Sequence, residues 1–492
     1  MALCIGIDVG TSAVKVVVAD EAEAIVAERE APLSISRPGP NASEQNPEDW
    51  WSAVAGVLDA LAAESPRLMS GVRAIGLSGQ MHGAVLLGPD LVPLRPAMLW
   101  NDGRAAPQAR MLRERVPELA RVVGVPAMPG FTGPKIPWLA EHEPGLVERV
   151  RVVMLPKDFV RLQLTGEVAT DMSDAAGTWW LDEARRTWSP EAAAATGLPF
   201  AALPPLLESS EPAGTLRGEL AARWGMPPSV VVAAGAGDAA AGAVGIGAMG
   251  DGVAFLSLGT SAQLFVSTAG YRPAPEQAVH AFCHAAPGLW FQMGAMLNGA
   301  SCLAFVAGLV GTPIETLLDE VEALGRGPSD LVFLPYLTGE RTPHDDADAR
   351  GVFLGMTPAT TRAGLARAVL EGVAFSFADA RDALASGGTR LADAAVIGGG
   401  ARSTLWMQIL ADVLGIRLRR YRGGAKGPAF GAARLARMAF TGLPASAIAV
   451  PPAVLDEFEP DPSMADGYAA ALLRYRLTYR ALRAAGAFTP RS

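Results

Sequence analysis

Two identical short turns recur half a chain apart, and their residue types suit phosphate binding. Gly10-Thr11-Ser12-Ala13 and Gly259-Thr260-Ser261-Ala262 are each preceded by β-prone residues and followed by apolar ones. A turn of glycine and small hydroxyl residues offers backbone N–H groups to an anion and adds no bulk of its own. Each copy therefore predicts a strand, a tight turn and a second strand, with phosphate held at the turn. Two such turns at this spacing indicate two homologous domains that face one cleft.

The two copies differ at one position that matters chemically. Asp8 precedes the first turn, whereas Ser257 occupies the corresponding position before the second. A Mg²⁺ ion carried by phosphates needs a carboxylate nearby, so Asp8 is the candidate metal contact. A solvated acidic residue at the end of a strand is the alternative. Lys15, on the strand after the first turn, is a candidate phosphate contact, although a solvated lysine explains it nearly as well.

Asp238 is the single charged residue in the apolar window 230–249. It follows a glycine turn at the predicted start of a small-residue helix, where a carboxylate without partners is costly. A helix N-cap and a catalytic base both explain an aspartate in this place. The window has the hydropathy of a membrane span, but its five glycines favour a buried strand, a glycine turn and a helix.

Other polar, glycine-bearing loops follow predicted strands, at the place where open α/β sheets bind ligands. These loops are 78–83 after the strand 72–77, 101–104 after 97–100, and 398–403 after 394–397. The last loop opens a predicted helix, whose N-terminus suits phosphate oxygens, and its glycines let an adenosine lie against the backbone. A tight strand-to-helix turn is the alternative, but such a turn would not require three glycines.

Length and composition are typical of a two-domain enzyme. A chain of 492 residues is too long for one core, and we predict domains at 1–245 and 246–492. The formal charge of −9 at pH 7 disfavours nucleic acid or an anionic membrane as the main partner. The three cysteines show no metal-ligand spacing, and the N-terminus lacks the basic segment of a secretion signal. These features predict a cytoplasmic location.

Longer stretches resemble the FGGY carbohydrate kinases, and the resemblance covers nearly the whole chain. The stretch 130–142, which begins Gly130-Phe131-Thr132-Gly133, fits the first signature of that family, and 351–356 with 365–371 resembles the second. Within the family, the chain is most similar to bacterial xylulokinases, through 79–83, 100–104, 155–158, 170–178 and 339–344. The number and order of these stretches carry the resemblance.

The resemblance implies an α/β fold of two duplicated RNase H-like domains, the actin- and hexokinase-type ATPase fold, flanking a catalytic cleft. We expect a mixed five-stranded sheet in each domain. The N-terminal domain would bind the sugar and carry the catalytic base, and the C-terminal domain would bind the nucleotide. ATP and Mg²⁺ are the implied cofactors.

The resemblance also implies a role for each candidate residue. Asp238 would be the catalytic base and Asp8 the metal contact. Met81, His82 and Asp102 would contact the sugar, although a loop ion pair between Asp102 and Arg104 explains those two residues about as well. Glu340 and Arg341 are interpreted as a structural salt bridge. The implied nucleotide contacts are Gly10, Thr11, Ser12, Lys15, Gly259, Thr260, Gly399, Gly400 and Ala401.

The substrate that the resemblance implies is D-xylulose, phosphorylated to D-xylulose 5-phosphate. One residue departs from the xylulokinase pattern, because Ala239 follows Asp238 where an asparagine that contacts the sugar is common. Another ketose, a polyol or a sugar acid is therefore the alternative substrate. A non-catalytic actin-like ATP-binding sensor or chaperone is a different class. The expected partners are a small sugar and ATP, without nucleic acid or membrane, and a homodimer stays open.

Overall fold

The computed structural model describes residues 2–422 and 426–488. Within these residues the protein has the predicted α/β architecture, with one large mixed sheet from each half of the chain. In spatial order, the first sheet comprises Pro212–Thr215, Val231–Ala233, Val72–Gly79, Leu3–Val9, Ala13–Ala19 and Ile25–Pro32, with Ala236–Gly237 also paired to Val72–Gly79. The second sheet comprises His280–Cys283, Trp290–Met296, Ala262–Thr268, Ala254–Leu258, Asp393–Ile397, Arg417–Tyr421 and Val454–Phe458.

Each sheet has seven strands, so the expectation of five was wrong. In the first sheet, Gly235 has a φ of +88° and interrupts a strand, and the chain pairs again as Ala236–Gly237. Pro212–Thr215 adds an antiparallel edge to the same sheet. In the second sheet, His280–Cys283 and Val454–Phe458 are antiparallel strands at the two edges. Such short edge strands carry too few alternations for a sequence pattern to separate them from loops.

The two repeated turns form equivalent hairpins, as predicted. In both copies the strands on either side of the turn pair antiparallel. The first hairpin also pairs in parallel through Val9 with Gly79, and the second through Ser257 with Ile397. Each turn therefore lies beside the end of a parallel strand that continues into one of the polar, glycine-bearing loops.

Helices cover the faces of both sheets. The longest helix of the first half, Pro47–Glu64, begins after Asn46, whose side chain accepts a hydrogen bond from the Glu48 N–H, and it buries Trp50. The helices of seven or more residues are Pro47–Glu64, Ala106–Arg115, Thr132–His142, Pro156–Thr165, Pro190–Thr196, Gly218–Trp224, Asp238–Ile246, Ser301–Val310, Ile314–Ala323, Arg362–Ser386, Thr404–Leu414, Gly427–Thr441 and Ala465–Ala484.

One helix from the second half of the chain packs on the first sheet. Gly427–Thr441 contacts the strands Leu3–Val9 and Val72–Gly79 and the helix Asp238–Ile246. The approach is close, because a Cβ atom on Gly431 would lie 1.8 Å from the carbonyl oxygen of Ala241. The two halves therefore share buried packing beneath the cleft, and the boundary between 245 and 246 stays a prediction.

The apolar window 230–249 folds as expected into strand, glycine turn and helix. Its elements are Val231–Ala233, Ala236–Gly237 and Asp238–Ile246. In the parts of the chain that the structure describes, no single helix is long and apolar enough to cross a membrane. Ser301–Val310 and Ile314–Ala323 reach that length and composition only together, with a bend of 92° between them.

Candidate active site

Asp8 and Asp238 lie at the same edge of the first sheet. Asp8 pairs with Ser78 of the neighbouring parallel strand, and Ser78 pairs with Ala236 of the next. Neighbouring strands are about 4.8 Å apart, so the backbone of Asp8 is about 10 Å from that of Ala236. Asp238 follows two residues later, as the first residue of its helix. The register therefore brings both candidate carboxylates to one place.

The carboxylate of Asp238 is not the N-cap of its helix. Gly237 occupies the N-cap position, and Asp238 accepts a 2.7 Å hydrogen bond from the N–H of Ala239. Burial raises the pKa of Asp238 to about 7, and the negative charge of Asp8 contributes to the increase. A carboxyl group with a pKa near neutral pH is suited to accept a proton during a reaction. The structural alternative, a helix cap, therefore loses its support.

Asp8 has the free oxygen that a cation would use. Its Oδ1 atom is buried without a hydrogen-bond partner, and burial raises the pKa of this carboxyl to about 6. The described residues contain no group of three or more His, Cys, Asp or Glu side chains that could hold a metal ion. A Mg²⁺ ion at Asp8 would therefore take its other ligands from phosphate and water, which is the usual arrangement for this ion.

The first of the two repeated turns, at Gly10-Thr11-Ser12-Ala13, is hydrogen-bonded to neighbouring residues. The hydroxyl of Thr11 donates to Gln80 at 2.9 Å and accepts from the Trp100 indole at 3.0 Å, while Ser12 is exposed. The ammonium of Lys15 lies 2.7 Å from the carboxylate of Glu28, and both side chains are well exposed. Lys15 is thus solvated, as in the alternative interpretation, and it forms a surface ion pair that the sequence did not indicate. Nucleotide contacts of Gly10, Thr11, Ser12 and Lys15 stay predictions.

A cavity of about 230 Å³ lies between the two halves of the chain and is lined by His82. The ring Nδ1 of His82 is 2.6 Å from the carbonyl oxygen of Gly177. Because a carbonyl only accepts, Nδ1 carries the hydrogen and Nε2 is left as an acceptor. Burial lowers the pKa of His82 to about 3, so the ring is neutral. A neutral ring with a free acceptor nitrogen can bind a sugar hydroxyl. We call this space the sugar cavity.

Met81 lies next to the turn that leads to Asp238. A Cβ atom on Gly237 would come within 2.9 Å of the Met81 sulfur, and the Met81 side chain is buried. This packing holds the backbone just before Asp238. A contact of Met81 with substrate stays a prediction.

Asp102 lines the sugar cavity but its oxygens are already engaged. The carboxylate accepts hydrogen bonds from the Arg104 guanidinium and from the N–H of Ser43, the latter at 2.9 Å. Burial opposes ionisation of Asp102, but these hydrogen bonds outweigh it and lower the pKa. The structure thus contains the predicted alternative, a loop ion pair with Arg104, and direct sugar binding by Asp102 stays a prediction.

Glu340 and Arg341 do not form the salt bridge that the sequence indicated. Glu340 instead accepts hydrogen bonds at 2.8 Å from the backbone N–H groups of Leu297 and Arg341. No carboxylate of the described chain lies within 4.0 Å of the Arg341 guanidinium. Both residues line the sugar cavity from the second half of the chain. The partners of Glu340 are backbone N–H groups, one of them distant in sequence, which a dipeptide pattern does not reveal.

A buried charge cluster supports the turn before Asp238. Its residues were not identified as functional from the sequence. It comprises Lys157, Asp158, Arg161, Asp171 and Asp174, whose side chains are fully buried. Lys157 Nζ lies 2.7 Å from Asp171, and Asp171 accepts a 2.6 Å hydrogen bond from the hydroxyl of Ser173. The same hydroxyl accepts the N–H of Gly237 at 3.2 Å. The stretches 155–158 and 170–178 carry the family resemblance, but their sequence does not reveal that Lys157, Asp171 and Ser173 connect to the backbone of Gly237.

The cluster also combines positive and negative charges. Burial raises the pKa of Asp174 well above its usual range, and the nearby carboxylates act in the same direction. Lys157, whose Nζ lies 3.3 Å from Asp174, opposes this increase in pKa. Arg161 donates to the carbonyl oxygen of Ala234 at 2.9 Å, so the turn 234–237 is held at both ends. These contacts fix the start of the helix that carries Asp238.

A larger cavity of about 720 Å³ lies in the second half of the chain. Gly259 and Thr260 of the second repeated turn line it together with Gly399 and Gly400. Apolar residues that the sequence did not single out, Leu303, Ile314, Leu318 and Trp406, form its other walls. The carbonyl oxygen of Thr260 accepts the N–H of Gly299 at 2.9 Å, which fixes this turn against the start of a helix. We call this space the nucleotide cavity.

The three consecutive glycines, Gly398, Gly399 and Gly400, have different surroundings. Gly398 has a φ of +94°, and a Cβ atom there would lie 2.6 Å from the carbonyl oxygen of Leu258. A Cβ on Gly400 would lie 2.4 Å from the Leu258 side chain. A Cβ on Gly399 would meet only the end of Arg402, at 3.7 Å, so this glycine leaves open space for a ligand. Ala401 is buried in the core, and its nucleotide contact stays a prediction.

Two family models match the chain, and both describe one family. The model for the N-terminal domain of the FGGY family of carbohydrate kinases matches residues 3–245, and the model for the C-terminal domain matches residues 254–440. A xylulose kinase from Klebsiella pneumoniae is 48% identical over 436 residues, which cover 88% of this chain and 89% of that protein.

Solved structures resemble the chain over its whole length. A structure from Brucella ovis, described as a xyloylose kinase, has a TM-score of 0.95 at 46% identity and covers 98% of this chain and 99% of its own. A gluconate kinase from Lactobacillus acidophilus has a TM-score of 0.91 at 25% identity and covers 98% of each chain. The same architecture thus occurs in proteins with different sugar substrates.

Proposed function

Because the chain belongs to the FGGY family of carbohydrate kinases, we propose that it transfers the terminal phosphoryl group of ATP to D-xylulose, forming D-xylulose 5-phosphate. The single observation that supports catalysis most strongly is Asp238. Its carboxyl is held at the edge of the first sheet, is not used as a helix cap, and has a pKa of about 7. A non-catalytic sensor would have no need for a carboxyl group tuned in this way.

In the proposed reaction, Asp238 orients the terminal hydroxyl of the sugar and accepts its proton. Phosphoryl transfer passes through a loose transition state, so the proton leaves late and positioning matters more than basicity. The neutral ring of His82 accepts a hydrogen bond from another sugar hydroxyl and fixes the orientation of the substrate. The first half of the chain, 1–245, supplies both residues, which supports the sugar-binding role proposed for it.

The second half supplies the nucleotide site in this proposal. The adenosine lies against the apolar walls of the nucleotide cavity and the open face of Gly399, and the terminal phosphates meet the turn at Gly259 and Thr260. Mg²⁺ belongs to the proposal, and Asp8 would hold it. When bound, the ion neutralises charge on the phosphates. The free Oδ1 of Asp8 supports this assignment.

We also propose a cytoplasmic location, where a small sugar and ATP are both available. Cys4, Cys283 and Cys302 are free and buried, which fits a reducing compartment. The acidic charge of the chain supports a small-molecule substrate in preference to nucleic acid. A homodimer is compatible with this function but is not required by it.

The test is ADP release by the purified protein with ATP and Mg²⁺, across ketoses, polyols and sugar acids. D-Xylulose should give the highest kcat/KM, and omission of sugar should leave only slow ATP hydrolysis. Higher activity on a different sugar would keep the kinase and remove D-xylulose as its substrate. Absence of sugar-dependent ADP release across the panel would refute the proposed function. The Asp238→Asn variant serves as the control that gives the background rate of ADP release.

A further inference from the structure

The sugar cavity has walls from both halves of the chain, although the sugar-binding residues expected from the sequence all come from the first. The second half contributes Leu297, Glu340, Arg341, Asp345 and Ala347. These residues lie on one long loop and the end of one strand, so any contact that they make with a sugar also joins the two halves. The charges in this wall decide what it can bind.

Among the described residues, Arg341 is the cation of this cavity whose side chain lacks a protein partner. Arg113, the other cation that lines the cavity, pairs with Asp345 across the two halves. In the described ranges, the Arg341 guanidinium has neither a carboxylate within 4.0 Å nor a hydrogen-bond acceptor. It is partly buried, and its charge reaches both His82 and His280. A guanidinium carries five N–H donors, and those of Arg341 are not among the fully buried atoms of the described chain, so a ligand in the cavity can reach them.

Glu340 does not neutralise this cation. Its Oε1 atom is held by two backbone N–H groups, and its Oε2 atom is buried without a partner. Burial raises the pKa of Glu340 to about 8, so at neutral pH this side chain is mainly an uncharged acid. The wall therefore presents one unpaired positive group, the Arg341 guanidinium. Adjacent oxygens of a sugar match its planar N–H groups.

We propose that Arg341 binds the sugar substrate from the second half of the chain. Its planar N–H groups donate to adjacent oxygens of the sugar, in the cavity that His82 also lines, so that a bound sugar bridges the two halves. This inference rests on the proposed sugar kinase function but not on the identity of the sugar. The same donors would pair with the carboxylate of a sugar acid, which makes Arg341 a determinant of substrate choice within the carbohydrate class.

The test compares Arg341→Met, Arg341→Lys and the control Arg350→Met. Arg350 is exposed on the same loop, and its guanidinium bonds only to the backbone carbonyls of Ala347 and Ala349 among the described residues. KM for sugar and for ATP would be measured by ADP release, using whichever sugar the wild type phosphorylates best. Sugar binding without ATP would be measured by calorimetry, and thermal unfolding would verify the fold.

Arg341→Met should raise KM for the sugar about 10- to 100-fold, the range expected for hydrogen bonds to a charged group, and leave KM for ATP within about twofold. Arg341→Lys, which keeps the charge but loses the planar fork, should lie between wild type and Arg341→Met. Arg350→Met should behave as wild type. Unchanged sugar KM in Arg341→Met, or in Arg341→Lys if the methionine variant does not fold, would overturn the proposal. So would an equal rise in both KM values.

Different results would refute the proposed sugar kinase function and the proposed sugar contact of Arg341. A wild type that prefers a sugar other than D-xylulose removes the proposed substrate, yet the Arg341 variants are still measured with the preferred sugar. A wild type that does not phosphorylate any sugar removes the kinase activity, and calorimetric titration with D-xylulose then tests Arg341 alone. In that case, equal affinity in wild type and Arg341→Met would refute the sugar contact.

Discussion

The negative charge of Asp8 reaches Asp238 and helps to raise its pKa to about 7. Asp8 lies on the strand Leu3–Val9, and Asp238 begins the helix directly after the strand Ala236–Gly237. The parallel pairing of Val72–Gly79 with both strands brings the two residues together. Two carboxyl groups that share one sheet edge cannot both ionise freely. This relationship links the metal contact and the catalytic base that we propose.

The pH dependence of activity should report this link. The base must be ionised to accept a proton, so kcat/KM should rise with pH and level off above about pH 7, the pKa of Asp238. In Asp8→Asn the charge that disfavours ionisation is gone, so the pKa of Asp238 falls and the acidic limb moves to lower pH. The limb is read from the residual activity of the variant, because its position does not depend on the absolute rate. A limb that stays in place, or moves to higher pH, would contradict the coupling.

Removal of the carboxylate should stop turnover and spare binding. Asp238→Asn keeps the size of the side chain and one acceptor oxygen, but it cannot take the proton. We expect kcat to fall by at least about 10²-fold, the lower end for loss of a general base, with calorimetric affinities for sugar and ATP close to wild type. Turnover at the wild-type rate would show that another group, or water, accepts the proton.

The same substitution should stabilise the fold at alkaline pH. The pKa of Asp238 is about 7 in the folded protein. In the unfolded chain the carboxyl group has its ordinary pKa of 3.8. The folded state therefore binds this proton more tightly, and the wild type loses stability as pH rises between these two values. Asp238→Asn lacks this loss, so its advantage in unfolding temperature should grow from about pH 5 to about pH 8. A constant difference across that range would place the raised pKa in doubt.

Much of this site was predictable because it depends on local sequence. The Gly-Thr-Ser-Ala turns, the strand before each and the helix that begins at Asp238 follow from short-range patterns, and the structure contains all of them. Gly399 lines the nucleotide cavity and has an open Cβ position, whereas its contact with a nucleotide stays a prediction. Each of these features is encoded within about ten residues of the position that it describes.

What the sequence could not provide depends on contacts between distant segments. Lys135, buried within a recognised signature, donates to the carbonyl oxygens of His82 and Met98, a structural role that no pattern shows. Glu340 and Arg341 are adjacent in the chain, but the Glu340 side chain accepts from backbone N–H groups, whereas the Arg341 guanidinium has no partner among the described residues. The helix Gly427–Thr441 crosses to the first sheet, although its sequence lies in the second half. Long-range pairing decides all three cases.

Loss of the Ser173 hydroxyl should affect catalysis through the position of Asp238. The hydroxyl accepts the N–H of Gly237 and donates to Asp171, so Ser173→Ala frees the turn that carries the base. We expect kcat to fall about tenfold, equivalent to the loss of one hydrogen bond of about 1.4 kcal/mol, with an unchanged KM for sugar. Ser376→Ala, on the buried helix Arg362–Ser386, where the hydroxyl donates to the carbonyl oxygen of Val373 at 2.7 Å, serves as a control for serine loss elsewhere. Equal losses of kcat in both variants would remove the positioning role of Ser173.

Gly399 and Gly400 should respond differently to alanine, although they are neighbours. A methyl group on Gly400 would lie 2.4 Å from Leu258, so Gly400→Ala should lower the unfolding temperature through overpacking of about 1–3 kcal/mol. A methyl group on Gly399 would meet only the flexible end of the Arg402 side chain. Gly399 is also not one of the described glycines that have a positive φ. Gly399→Ala should therefore fold as wild type but raise KM for ATP, because the methyl group enters the nucleotide cavity. Thermal unfolding and ADP-release kinetics on both variants distinguish the two effects. A Gly399→Ala protein with normal stability and unchanged KM for ATP would show that the nucleotide lies elsewhere.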